Sequence, residues 1–211
     1  MFKIGLTGSQ GSRLHDVGDS FKKMGVEVFN ADIQVKWLLN YDIDVVESVK
    51  RNFGDNYVIS EFINPLAFDN DEKFDKLLDL IEYPLFESFD RFVKKHQGRC
   101  YVIFLSSIIF ERNWNKRFDS VINVFKPKED RVSLISAVTG RNILSTYDLF
   151  NNEFDELEKN KLSDFVIHDY LGELQVRKQI INCDDVIMDS YFSNERESRE
   201  INEDLIKNIY A

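Results

Sequence analysis

Five short apolar runs, each closed by turn or polar residues, stand out along the chain at residues 2–7, 26–30, 101–106, 121–125 and 164–168. Such runs fit strands buried on both faces, and the helical patterns between them give the alternation expected of a parallel sheet. After the first run, Leu14, Val17, Phe21 and Met24 repeat at helical spacing, and Gly25 closes the helix before the second strand. The N-terminal portion therefore reads as a β-turn-α-β unit. From about residue 33 to 97 only helical patterns occur, in Val45/Val46/Val49/Phe53, Phe74/Leu77/Leu78/Ile81 and Leu85/Phe89/Phe92/Val93. This stretch is expected to be a strand-free helical insertion beside the sheet. Asn64-Pro65 and Tyr83-Pro84 should mark turns or bends, because the residue before proline is pushed out of helical geometry. From Ser193 to Tyr210 charged residues dominate, which predicts a peripheral tail helix or docking segment.

Composition narrows the class. The 211 residues are 43% hydrophobic and carry 18 Phe and 8 Tyr against 9 Gly and 3 Pro, which fits one packed domain and excludes disorder or low complexity. With 27 Lys+Arg against 37 Asp+Glu, the net charge of −10 argues against a broad nucleic-acid surface and leaves room only for a local basic pocket. Cys100 and Cys183 are too few and too far apart for a disulfide framework or a CxxC metal site, so a reducing compartment is expected. No apolar run approaches the ~20 residues of a membrane span, and the N-terminus enters a strand without room for a signal peptide. A cytoplasmic protein is expected. Richness in Asn, Lys, Ile and Asp fits an AT-rich genome, a viral one among the candidates, on composition alone.

The richest chemistry lies after the first strand. A glycine-bearing loop between a buried strand and a helix is where phosphate is held by backbone N–H groups and the positive helix end. Here it reads Gly8-Ser9-Gln10-Gly11-Ser12-Arg13-Leu14-His15. Set against G-x-x-x-x-G-K-[ST], the last three places hold Arg13, Leu14 and His15, so the phosphate lysine and the magnesium hydroxyl are both replaced. Leu14 extends the apolar stripe of the helix, which reads as ordinary core. His15, His96 and His168 lack metal-ligand spacing, and no metal site is expected. The acidic groups at 69–72 and at Asp184-Asp185 read as solvated loops or helix starts. Ser106-Ser107 lacks a nucleophile elbow, and Trp37 and Trp114 read as aromatic core.

Several stretches, in order, resemble the dephospho-CoA kinase family. Ile4-Gly5-Leu6-Thr7-Gly8 and its loop, followed by Val28-Phe29-Asn30-Ala31-Asp32, resemble that family's opening, where the second strand ends in Asp-Ala-Asp. Arg51-Asn52-Phe53-Gly54 looks like its Arg-Phe-Gly turn, and Tyr83-Pro84 sits where it has His-Pro. Residues 102–111 are similar to the strand and loop that read Asp-x-Pro-Leu-Leu-Phe-Glu. Lys126-Pro127-Lys128-Glu129 resembles its Pro-x-Glu helix start, and Ser163-Asp164-Phe165-Val166-Ile167 its Ala-Asp-x-Val-Ile strand. The colinearity over residues 2 to about 182 carries the resemblance.

The resemblance implies a three-layer α/β/α fold of P-loop kinase type, with a five-stranded parallel sheet. Residues 1–182 would form the kinase-like domain with the insertion at 33–97, and 183–211 a charged tail. It also implies transfer of the ATP γ-phosphate to the ribose 3′-hydroxyl of dephospho-CoA, with Asp32 in the position of the catalytic base. Phosphoryl transfer is mostly positioning and charge neutralisation, so the departures weigh heavily. Leu14 and His15 replace loop groups, Leu105 an aspartate ending the third strand, and Leu134 and Val138 arginines of the following helix and lid. Arg13 and Arg141 are the candidate replacement cations. On these losses the chain is expected to be a non-catalytic kinase scaffold without cofactor, acting on a protein partner as an assembly, structural or inhibitory factor. The competing expectation is a divergent kinase that uses ATP and magnesium on dephospho-CoA or a nucleotide. An acidic mimic of nucleic acid has charge alone behind it.

Overall fold

The computed structural model describes residues 1–59, 62, 63, 71–148, 150 and 153–209. Its five-stranded sheet has the order β2-β5-β1-β6-β7, from β1 (Phe2–Thr7), β2 (Glu27–Asn30), β5 (Tyr101–Leu105), β6 (Ser120–Phe125) and β7 (Phe165–His168). All five expected strands are present, with bounds shifted by a residue at some ends. β1 is central: it pairs in parallel with β5, Leu6 opposite Leu105, and with β6, Thr7 opposite Asn123, while β6 pairs in parallel with β7. From β1 the chain runs to β2 on one side, and from β5 it crosses to β6 on the other, so the end of β1 is the sheet's switch point, where open α/β sheets bind ligands.

Contacts divide the chain into two units, Met1–Val28 with Gly98–Ala211, and Phe29–Gln97. In the first, helix α1 (Leu14–Lys23) and helix α8 (Glu173–Ile209) cover one face of the sheet. Leu14, Val17 and Phe21 from α1 join Ile4, Leu6, Ile103, Leu105, Ile122 and Val124 from the strands, and Val176, Ile180, Cys183 and Ile187 from α8, in one buried cluster. Near the other face, Trp114 and Phe118 pack their rings on Phe104. Helices α5 (Lys128–Thr139), α6 (Ile143–Asp148) and α7 (Glu156–Leu162) follow β6. The fold is α/β, with helices packed on a five-stranded sheet.

The second unit holds α2 (Ala31–Tyr41), α3 (Ile43–Phe53) and α4 (Asp71–Lys95). Asn30 and Asp42 cap the first two, their side chains accepting from Ile33 N at 3.0 Å and Val45 N at 3.1 Å. This unit is not strand-free: β3 (Val58–Ile59) and β4 (Phe62–Ile63) form a short antiparallel pair. Strands of two residues carry no periodicity to read. Pro84 does not break the chain either, since α4 runs through it. A proline removes one backbone hydrogen bond, but Leu77, Leu78, Ile81, Leu85 and Phe89 are buried along one stripe on both sides of it, and that packing holds the helix together. Asn64-Pro65 lies outside the described residues.

The expected boundary at 182/183 falls inside a single helix, because α8 begins at Glu173 and its first turns are core. Burial pushes the Cys183 thiol up to about 11, with Asp184 adding to the effect. The Tyr101 hydroxyl donates to the Asp184 carboxylate and, buried and held there, is raised well above the usual phenol range. Among the described residues no helix is long and apolar enough to cross a membrane.

Phe21 is fully buried between α1 and the sheet. Phe21→Ala is expected to lower the unfolding free energy by about 3–5 kcal/mol in denaturant titrations. A loss below about 1 kcal/mol would show that α1 does not seal this core.

Candidate functional site

The loop between β1 and α1 leaves the C-terminal end of the central strand, and two glycines set its shape. A Cβ at Gly8 would lie 2.7 Å from Ser12 Oγ and 2.9 Å from the Val124 carbonyl, and Gly11 has φ +86° with a Cβ position 3.1 Å from Arg131. Only glycine fits both places. Ser12 N donates to the Ser9 carbonyl at 3.0 Å, closing the turn. The hydroxyls of Thr7 and Ser12 are buried without a hydrogen-bond partner, which marks them as groups a ligand or water would complete.

Leu14 points into the core, as its place on the apolar stripe implies, and Leu105 is buried in the same cluster. His15 is exposed one residue further along α1, and Leu134 and Val138 are exposed on α5. Arg141 is exposed on the turn after α5, its backbone N donating to Thr139 Oγ1 at 3.4 Å. Asp32 lies in the first turn of α2, in the second unit.

Arg13 is not a cation held ready for phosphate. Its Nε pairs with Asp169 Oδ1, its backbone N–H donates to Asp169 Oδ2 at 3.1 Å, and its Nη2 donates to the Asp169 carbonyl at 3.3 Å. Lys126 Nζ meets the same carboxylate at 3.3 Å. Asp169, just past β7, is thus a buried anion at the N-terminus of α1, where negative charge is favourable. The side chain that crowds the glycine position is drawn to this carboxylate, which explains how the loop accommodates it.

Two other cations reach the loop, and local sequence pattern does not single them out. Arg131, in the first turn of α5, is 1% exposed in its side chain. Its Nη1 donates to the Gln10 carbonyl at 3.0 Å and to Glu153 Oε2 at 2.9 Å, its Nε donates to the Lys126 carbonyl at 3.2 Å, and its guanidinium lies 4.8 Å from the Phe150 ring centre. Lys159, on α7, is fully buried; its Nζ donates to Ser9 Oγ at 2.9 Å and pairs with Glu111 Oε1 at 2.6 Å. Asp155 positions α7 by accepting from Glu158 N at 2.9 Å. Arg131 stands one turn before Leu134, where the family resemblance had placed an arginine, and the Pro127-Lys128-Glu129 helix start was the only signal near it. Lys159 lies on a charged stretch whose pattern gives no hint of burial.

Glu156 closes the group. Its Oε1 lies 3.6 Å from Arg131 Nη2, and both carboxylate oxygens are buried without a hydrogen bond of good geometry. Burial raises its pKa above the usual carboxylate range, against the pull of the Ser9 hydroxyl, Arg131 and Lys159. Among the described residues no three His, Cys, Asp or Glu converge on a metal position. The family resemblance puts Leu105 and His15 where a carboxylate and a hydroxyl would stand, and among the described residues the side chains here do not make a protein cage for Mg²⁺.

The family model described as Dephospho-CoA kinase matches residues 2–173. The chain belongs to the dephospho-CoA kinase family. A relative named dephospho-CoA kinase, from Clostridium tetani, is 27% identical over 202 residues, spanning 86% of this chain and 86% of its own. Among solved structures, a Thermus thermophilus protein superposes with a TM-score of 0.73 at 20% identity, covering 86% of this chain and 95% of its own. The dephospho-CoA kinase from Campylobacter jejuni superposes with a TM-score of 0.55 at 14% identity, covering 88% and 96%. Both structures share the fold.

The match overturns the expectation of a non-catalytic scaffold acting through a protein partner. A dephospho-CoA kinase family model spans most of the chain, relatives of similar length are named as the enzyme, and nothing in them supports a partner-binding role or a viral source. The expectation failed because it took the loop's departures from the phosphate pattern as decisive, whereas the family match extends over residues 2–173.

The raised pKa of Glu156 has a pH signature. The folded chain holds this proton more tightly than the unfolded one, so the stability that protonation contributes is full below the ordinary glutamate pKa and is lost as pH rises through the folded value. Glu156→Gln is expected to gain melting temperature relative to the parent as pH rises from about 4 to about 7. Parallel stability curves across that range would contradict this.

Proposed function

We propose that this chain is an ATP-dependent kinase that transfers the γ-phosphate of ATP to the ribose 3′-hydroxyl of dephospho-CoA. The family match over residues 2–173 carries the reading. Supporting it are the glycine-shaped turn at the switch point, the unpartnered hydroxyls of Thr7 and Ser12, and the two buried cations that meet the loop. ATP and the CoA-like acceptor are its ligands, and magnesium is expected to arrive on the nucleotide's phosphates, as it does where no dedicated protein cage exists.

The chain's own residues have distinct tasks. Backbone N–H groups of the loop and the α1 dipole would bind the phosphates. Arg131 keeps the loop backbone in place through Gln10. Asp32, in the position of the family's base, would take the proton of the 3′-hydroxyl as its oxygen attacks the γ-phosphorus and ADP leaves. Arg13 is assigned no phosphate role, because Asp169 engages it.

The test combines product analysis and ligand-dependent melting. Incubation with Mg-ATP and dephospho-CoA is expected to give ADP and CoA, with the new phosphate on the 3′-oxygen by ³¹P NMR. Mg-ADP at a hundred times its dissociation constant should add about 2.7 kcal/mol, which raises the melting temperature by roughly 5–10 °C for a chain of this size. No product and no shift would overturn the proposal.

A further inference from the structure

We propose that Lys159 is a positioning residue that supplies from beneath the loop the positive charge absent from the loop's own sequence, and so sets affinity for the nucleotide phosphates. The inference rests on the kinase reading and goes beyond it, because this side chain lies far along the chain from the loop, on α7.

Three observations carry it. First, between Gly8 and His15 the only arginine or lysine is Arg13, and Asp169 engages its guanidinium and its backbone N–H. Second, Arg131 faces two carboxylates, Glu153 and Glu156, so its charge is largely answered. Third, Lys159 is fully buried at 2.9 Å from Ser9 Oγ, whereas its ion-pair partner Glu111 is 27% exposed in its side chain. Water screens the Glu111 carboxylate more than the ammonium, and burial raises the pKa of Glu156, the other carboxylate that Lys159 acts on, so the two together answer the cation's field incompletely on the loop side. A phosphate on the loop would meet that potential without touching Lys159.

A plain structural ion pair and an electrostatic support give different signs. Removing either partner of a structural pair would disturb the loop in the same direction. For an electrostatic support, Lys159→Met removes the charge, while Glu111→Gln leaves the charge and removes its screen. Calorimetric titration with Mg-ADP and steady-state kinetics on the full chain separate the two. Lys159→Met is expected to weaken ADP binding and raise KM for ATP by about tenfold or more, with KM for dephospho-CoA within about twofold. Glu111→Gln is expected to tighten ADP binding. If Lys159→Met does not fold, the direction of the Glu111→Gln change decides alone. Weaker ADP binding in both variants, or unchanged binding in Glu111→Gln, overturns the proposal. If the parent binds ADP but does not phosphorylate dephospho-CoA, the substrate reading fails and the two variants still judge Lys159. If the parent binds no ADP, both fail together.

Discussion

Two cations buried under a glycine turn hold this site in shape. Arg131 grips the Gln10 carbonyl and Lys159 the Ser9 hydroxyl, and each brings a carboxylate from another segment with it. Removing one partner of a buried ion pair typically costs about 3–5 kcal/mol, because the other charge is left without an answer in low dielectric. The loop, the first turn of α5 and the whole of α7 are therefore bound into one arrangement, and none can move far without exposing or stranding a charge. The placement of glycine at positions 8 and 11 follows from it, since a side chain at either would meet Ser12, the Val124 carbonyl or Arg131.

A second tether holds the start of α1. Asp169, past the end of β7, takes the backbone N–H and guanidinium of Arg13 together with Lys126 from the end of β6. The ends of β1, β6 and β7 are thus tied by charge at the place where the sheet order switches sides. Arg13 stands where the phosphate pattern asks for glycine, and Asp169 is the counter-charge that lets it stay. The loop has lost its own cation to a structural contact and has cations from α5 and α7 around it.

The sheet was legible from sequence because its three inner strands are buried on both faces, and continuous apolar runs of that length between helical stripes suit a parallel sheet and little else. The same logic found Leu14, which continues the stripe of Val17 and Phe21. It did not find β3 and β4, too short to show a period, or the continuity of α4 through Pro84 and of α8 through residue 183, where buried stripes outweigh local breakers and charges. The loop itself was legible as a glycine turn lacking its lysine. What completes it was not, since Arg131 and Lys159 stand 121 and 150 residues from the loop atoms they meet. Local pattern cannot report a pairing that only the fold creates.

A crystal structure with Mg-ADP tests the joint role of loop and buried cations most directly. The β-phosphate is expected against the backbone N–H groups of residues 11–14, with Lys159 Nζ still on Ser9 Oγ and Arg131 still on the Gln10 carbonyl. Nucleotide bound away from this loop, or bound here with both of those contacts broken, would contradict the account.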